Sequence, residues 1–195
     1  VAEVLAPIAE YPEIQFSLKM RLGWENASEC MVLVELLNTL RLSRIALHAR
    51  TGKQQYKGHP DLEAFQGFYE LCQHPLYYNG GIESLSDIRQ ILIRFPLLKG
   101  VFIGRGLLSS PLLAKEFKGN ETFLPEQRMS IYFAFHEELF SAYSQVLQGE
   151  TQLLVKMKTL WEYFLPETDR KLLKRIKKST RLQQYTESVK AIFTS

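Results

Sequence analysis

Strand-like and helix-like segments alternate through the first 118 residues with a period near 30, and few architectures accept that pattern. Residues 14–20 (IQFSLKM), 44–48 (RIALH), 75–78 (PLYY) and 100–103 (GVFI) read as short strands bounded by Pro, Gly or Asn. Residues 30–42, 61–72 and 84–95 read as helices between them. Asp61 follows Pro60 at the start of one, and Ser84 with Asp87 resembles a capping box at the start of another. A further short helix is predicted over 111–117. Such alternation means parallel strands covered by helical crossovers. The strand tips Lys19, His48, Asn79 and Gly104 stand 29, 31 and 25 residues apart. That repeat suits a (β/α)8 TIM barrel, which needs about 250 residues for eight units. Four units are present. A doubly wound sheet is the structural rival.

After Gly119-Asn120 the pattern becomes purely helical. Helices are predicted over 125–147, 151–164, 169–178 and 181–193, so the chain divides into an α/β part (1–120) and a small all-α helical bundle (121–195). Apolar residues make up 46% and charged residues 23%, the composition of a folded domain rather than a disordered one. Glu35, Lys99, Arg105 and the Glu137–Glu138 pair interrupt every candidate membrane span. Two cysteines exclude a disulfide scaffold. The opening VAEVLAPIAE has no signal-peptide pattern and reads as the end of a helix, the expectation for a piece of a longer chain.

Charge is unevenly placed. Residues 1–124 hold 13 Lys/Arg and 13 Asp/Glu, whereas 125–195 hold 11 and 8 and supply the whole net charge of +3. Seven of those bases fall in 170–181. A basic run is ordinarily a solvated helix face, yet it also marks where a polyanion would bind.

In a barrel, chemistry collects at the C-terminal ends of the strands. Those ends carry Lys19 and Arg21, His48 and Arg50, Asn79-Gly80-Gly81, and Gly104-Arg105-Gly106. His48 alone reads as a structural histidine and Lys19 alone as half of an ion pair; four polar tips at matching positions read as a site. Glycines let backbone N–H groups approach phosphate oxygens, and Arg105 adds a charged donor. The paired glycine loops predict a phosphate-bearing ligand.

The series LKMRLGW (18–24), HARTGKQQYKG (48–58), YNGGI (78–82) and IGRGLLSSP (103–111) resembles the tRNA-dihydrouridine synthases, in order, through about 110 residues. LLVKMKTLWEYF (153–164) resembles part of their C-terminal helical domain. The resemblance implies the second half of an FMN-binding TIM barrel followed by a tRNA-binding helical domain. It implies flavin-dependent reduction of uridine to 5,6-dihydrouridine in tRNA, with NADPH as reductant, in the cytoplasm. By resemblance Lys19 lies at the flavin N1/O2 edge, His48 contacts the flavin, and Asn79, Gly80, Gly81, Gly104 and Arg105 hold its phosphate end. Arg50 and the Gln55–Tyr56 stretch match a loop on the RNA side. Lys156, Lys158, Arg170, Lys174, Arg175, Lys177 and Lys178 are the expected RNA-backbone contacts.

This sequence reads His48-Ala49-Arg50-Thr51 and Asn79-Gly80-Gly81 where the family usually has His-Gly-Arg-Thr and Asn-Gly-Asp. The family's proton donor, a cysteine in a loop after the fourth strand, has no match here. Cys30 and Cys72 fall in helices and read as structural. The expectation is an isolated chain that is inactive, holds FMN poorly, and needs an N-terminal half-barrel in cis or in trans. Another phosphate- or flavin-binding barrel oxidoreductase and a non-catalytic tRNA-binding remnant are the rival functions. His59, His74 and His136 lack metal-ligand spacing. Trp24, Trp161 and the 132–140 aromatic stripe read as packing residues.

Overall fold

The two faces of the sheet differ in chemistry, and that difference decides where helices cover it. The computed structural model describes residues 2–194. Short helices α1 (Ala2–Leu5) and α2 (Pro7–Glu10) precede β1 (Phe16–Gly23), α3 (Glu29–Asn38), β2 (Leu42–Thr51), α4 (Leu62–Leu71), β3 (Leu76–Asn79), α5 (Leu85–Arg94) and β4 (Gly100–Phe102). The strands are all parallel and each pairs with the next in chain order. An order without reversal lacks the switch point of a doubly wound sheet and is consistent with part of a (β/α) barrel.

Along β1, Leu18 and Met20 are half-buried and Leu22 is buried while Ser17 and Lys19 stay exposed, the alternation of a strand covered on one side. Ile45, Leu47, Phe65, Phe68, Tyr78, Ile88 and Phe95 are buried. Phe65 meets Tyr78 and Phe95 edge-on, with ring centroids 4.9 and 5.0 Å away, the preferred aromatic geometry. Asp61 caps α4 by accepting from the Ala64 N–H at 2.9 Å. Ser84 and Asp87 form the full capping box on α5. Each cap satisfies amides that the first turn leaves unpaired.

The predicted helix over 30–42 is corrected at its end: α3 stops at Asn38, and Leu42 opens β2. Asn38 ends the helix usefully, donating to Leu71 O (2.9 Å) and accepting from the Gln73 N–H (3.0 Å).

The chain divides into two compact units, one ending at Gly104 and the other starting at Arg105. Beyond Gly104 the described residues form helices only: α6 (Arg105–Ser109), α7 (Leu113–Gly119), α8 (Pro125–Val146), α9 (Gly149–Leu160), α10 (Arg170–Lys178) and α11 (Leu182–Phe193). The division falls ahead of residue 120 because Leu112, between α6 and α7, packs into the second unit's core with Tyr132, Trp161, Phe164, Ile176 and Tyr185. Buried Glu116 pairs there with Arg128. At the centre of this core, Tyr185 Oη lies 2.7 Å from His136 Nε2 and 2.9 Å from Trp161 Nε1. Among the described residues, no helix is long and apolar enough to cross a membrane.

Candidate functional site

Parallel register sets the site in rows. Arg21, His48, Asn79 and Phe102 are register partners across the four strands, and Lys19, Ala46, Tyr77 and Gly100 form the row before them. Because side chains repeat every second residue, Lys19 and Arg21 project from the same face of β1. Lys19 is thus not at the strand's tip, as its sequence position suggested; β1 continues to Gly23. The lysine still reaches forward one row. Its Nζ donates to Asn79 Oδ1 at 3.2 Å, and Asn79 Nδ2 donates to Phe102 O at 2.8 Å. Both polar ends of the Asn79 amide are therefore engaged within the sheet. The Asn79 side chain thereby positions the ammonium of Lys19.

His48 is buried and adjoins Arg50, whose Nη1 stands 3.3 Å from His48 Nε2. A guanidinium can only donate, so Nε2 accepts and the ring proton sits on Nδ1. Arg50 is itself 4% exposed, and its Nη2 donates to Gly58 O at 3.0 Å. The expectation that Arg50 contacts RNA is corrected. β2 runs on to Thr51, which places Arg50 two residues beyond His48 inside the sheet, where it braces the histidine and the 52–58 loop.

Gly80 (φ +134°) and Gly81 (φ +61°) follow β3 in backbone conformations that side chains rarely adopt. A Cβ on Gly80 would lie 3.1 Å from His48 Cδ2, and one on Gly81 would lie 2.9 Å from Pro60 Cγ. Gly104, after β4, has open space where its Cβ would stand. Lys19, His48, Asn79 and Gly80 are thereby brought together. Arg105 begins the second unit, half-buried in α6.

In the second unit, Lys171, Lys174, Arg175 and Lys178 line a cleft of about 420 Å³ together with Gln184 and Glu187 from α11. Their spacing puts them on one stripe of α10. Lys177 and Arg170, also expected at the RNA surface, are exposed but do not line the cleft; Lys171, omitted from the expected set, does. Lys156 is exposed and stands 5.4 Å over the Tyr143 ring. Lys158 is half-buried; it donates to Ser179 O at 2.9 Å and ties α9 to the end of α10.

The two thiols belong to helices rather than to strand ends. Burial pushes the Cys30 thiol up to about 11, and burial also raises that of Cys72. Cys30 lies within α3 and Cys72 caps the end of α4.

A family model described as dihydrouridine synthase (Dus) matches residues 1–194. The chain belongs to the dihydrouridine synthase family. It is 34% identical over 100 residues to a probable tRNA-dihydrouridine synthase of Rhizobium leguminosarum bv. phaseoli, covering 51% of this chain and 31% of that protein. It is 35% identical over 105 residues to a probable tRNA-dihydrouridine synthase of Aquifex aeolicus (strain VF5), covering 54% and 33%. It is 30% identical over 105 residues to a tRNA-dihydrouridine(16) synthase of Haemophilus ducreyi, covering 53% and 32%. The chain thus spans about a third of the length of these curated relatives.

Two features of this family member were not read as functional from its sequence. Trp24, expected to pack, is 65% exposed. Glu29 accepts the N–H groups of Trp24, Glu25 and Asn26 at 2.9, 2.9 and 2.6 Å, and those bonds hold its carboxyl below the usual range. A carboxylate at the first position of a helix reads as a dipole partner; its grip on the preceding loop leaves no composition signal.

Proposed function

We propose that this chain forms the cofactor-tail and RNA-binding portions of a tRNA-dihydrouridine synthase, an FMN-dependent oxidoreductase that draws on NADPH. One observation carries the reading: Lys19, His48 and Asn79 stand on three adjacent strands, Lys19 bonded to Asn79, and Gly80 follows β3 against the His48 ring. The residues fit a flavin mononucleotide. Lys19 offers an ammonium held in place by Asn79 for an electron-rich ring edge. Gly80 and Gly81 offer backbone without side chains, Gly104 leaves open space, and Arg105 follows it in sequence as a charged donor for phosphate. When bound, the flavin supplies the hydride chemistry, while the protein supplies orientation and charge.

The remaining steps belong to this chain's own residues. Arg50 fixes the His48 ring with its proton on Nδ1. Lys171, Lys174, Arg175 and Lys178 meet the tRNA backbone and offset the cost of drawing a base from the RNA fold. The reduced uracil also needs a proton, and neither Cys30 nor Cys72 stands at the C-terminal end of a strand to give it. We assign that donor, and the strands that pair with the free edges of β1 and β4, to an N-terminal half-barrel supplied in cis or in trans. The expected site of action is the cytoplasm.

The test pairs two assays on the 195-residue chain: salt-dependent tRNA binding and NADPH-dependent dihydrouridine formation. The expected result is binding that weakens steeply with salt, with no turnover. Turnover by this chain alone, or tRNA affinity indifferent to salt, refutes the reading.

A further inference from the structure

Trp24 stands mostly in water, yet its position is held rigidly. The backbone of Trp24 is fixed at both ends: its N–H donates to Glu29 Oε2 at 2.9 Å, and its carbonyl accepts from the Lys53 N–H at 2.9 Å. The preceding carbonyl, Gly23 O, accepts from the Gly52 N–H at 2.8 Å. Lys53 and Glu25 form an ion pair across the same two loops. The six-membered ring of the indole packs against Gly52, where an added Cβ would fall 2.4 Å from Cε3. Gly52 does not have a positive φ, so its missing side chain serves the indole rather than the backbone. The result is an aromatic plate, backed by main chain and 65% exposed.

Its surroundings mix charges: the Glu25 and Glu29 carboxylates lie beside it, Glu25 is paired with Lys53, and Arg21 and an exposed tyrosine stand nearby. Arg21, from the same end of β1, donates to Thr51 O at 2.7 Å and lies 5.8 Å from the centroid of the Tyr56 ring, itself 61% exposed. Exposed aromatics interleaved with cations on ordered loops are how proteins hold unpaired bases: every base has a π-face, and a prefixed ring pays little ordering entropy.

We propose that Trp24 is a positioning residue whose indole stacks on an unpaired nucleobase of the RNA substrate. The inference rests on the tRNA reading above and adds to it a second contact region, separate in sequence from the basic stripe of α10. Stacking of this kind is worth roughly tenfold to a hundredfold in affinity.

The experiment measures binding of an unmodified tRNA transcript to the 195-residue chain, to Trp24→Ala, Trp24→Phe and Gly52→Ala, together with acrylamide quenching of tryptophan emission. Trp161 is buried, so quenching reports Trp24. The expected result is at least tenfold weaker binding by Trp24→Ala, with unchanged thermal unfolding and substantial recovery in Trp24→Phe. Gly52→Ala, which pushes the indole off its seat while keeping it, weakens binding in the same direction. Bound tRNA shields Trp24 from acrylamide. Wild-type affinity in Trp24→Ala, or an indole that stays accessible in the complex as it would if it served a protein partner, overturns this inference alone. Absence of tRNA binding by every form overturns both it and the reading beneath it.

Discussion

Replacing Tyr185 by Phe removes one oxygen from the centre of the helical unit and leaves every ring contact in place. That oxygen serves two buried partners, Trp161 Nε1 at 2.9 Å and His136 Nε2 at 2.7 Å. Indole only donates, so Tyr185 Oη accepts from it; the Glu137 carboxylate only accepts, so the neutral His136 ring carries its proton on Nδ1 and its Nε2 accepts from the Tyr185 hydroxyl. The Nδ1 proton faces Glu137 Oε1 at 3.1 Å. In Tyr185→Phe a buried donor and a buried acceptor both lose their partners. At about 1–3 kcal/mol for each, the loss is about 2–6 kcal/mol. With a urea slope of about 1–3 kcal/mol/M, the midpoint falls by about 2 M. Urea titration followed by tryptophan fluorescence and circular dichroism measures it, with the exposed Tyr163→Phe as a control that leaves the midpoint unchanged. A loss below about 0.5 kcal/mol refutes the network, since such a value is typical of an isolated surface substitution.

Burial lowers the His136 pKa from 6.5, with Glu137 partly opposing. The unfolded chain therefore binds the proton more tightly, and this residue's stabilisation is complete above about pH 6.5 and is lost as pH falls below it; His136→Phe removes that part of the slope in urea midpoints measured from pH 7 to 5. Arg128→Ala strands the buried carboxylate of Glu116, which is 3% exposed, and is expected to cost about 3 kcal/mol; Arg128→Ala combined with Glu116→Gln recovers much of it in the same assay. Lys174→Glu with Arg175→Glu weakens tRNA binding and lowers the slope of log K against log salt by about one per lost phosphate contact. Lys177→Glu, off the cleft, lowers it less.

The parallel α/β layout was legible because its signals are local. Ser84 and Asp87 close their capping box within four residues, Asp61 caps α4 after Pro60, and the strands return at a regular interval. The convergence of Lys19, His48 and Asn79 followed from that interval alone. Misreadings arose wherever a residue's fate depends on a distant partner. Leu42 fits a helical period as well as a strand, and only pairing with Phe16 of β1 makes it strand. Arg50 looks like a loop base, yet Gly58 O and His48 hold it inside the sheet. Lys158 looks solvated until Ser179 O, 21 residues on, takes its ammonium. Trp24 has the composition of a core residue, and its exposure comes from a seat made by Gly52 and Glu29. Trp161, a residue of the same type, is buried at the helical core. Side-chain chemistry distinguishes neither tryptophan from the other; the neighbouring backbone does.

Titrating the chain with FMN and with riboflavin, in the wild type and in Lys19→Met, addresses the flavin-binding face directly. Weak but saturable quenching of FMN fluorescence is expected, at least about tenfold tighter than for riboflavin, which lacks the phosphate, and reduced in Lys19→Met, since each removes a charge-assisted contact. Equal affinity for the two flavins, or FMN binding untouched by loss of the Lys19 ammonium, contradicts the assignment of this sheet face to the cofactor.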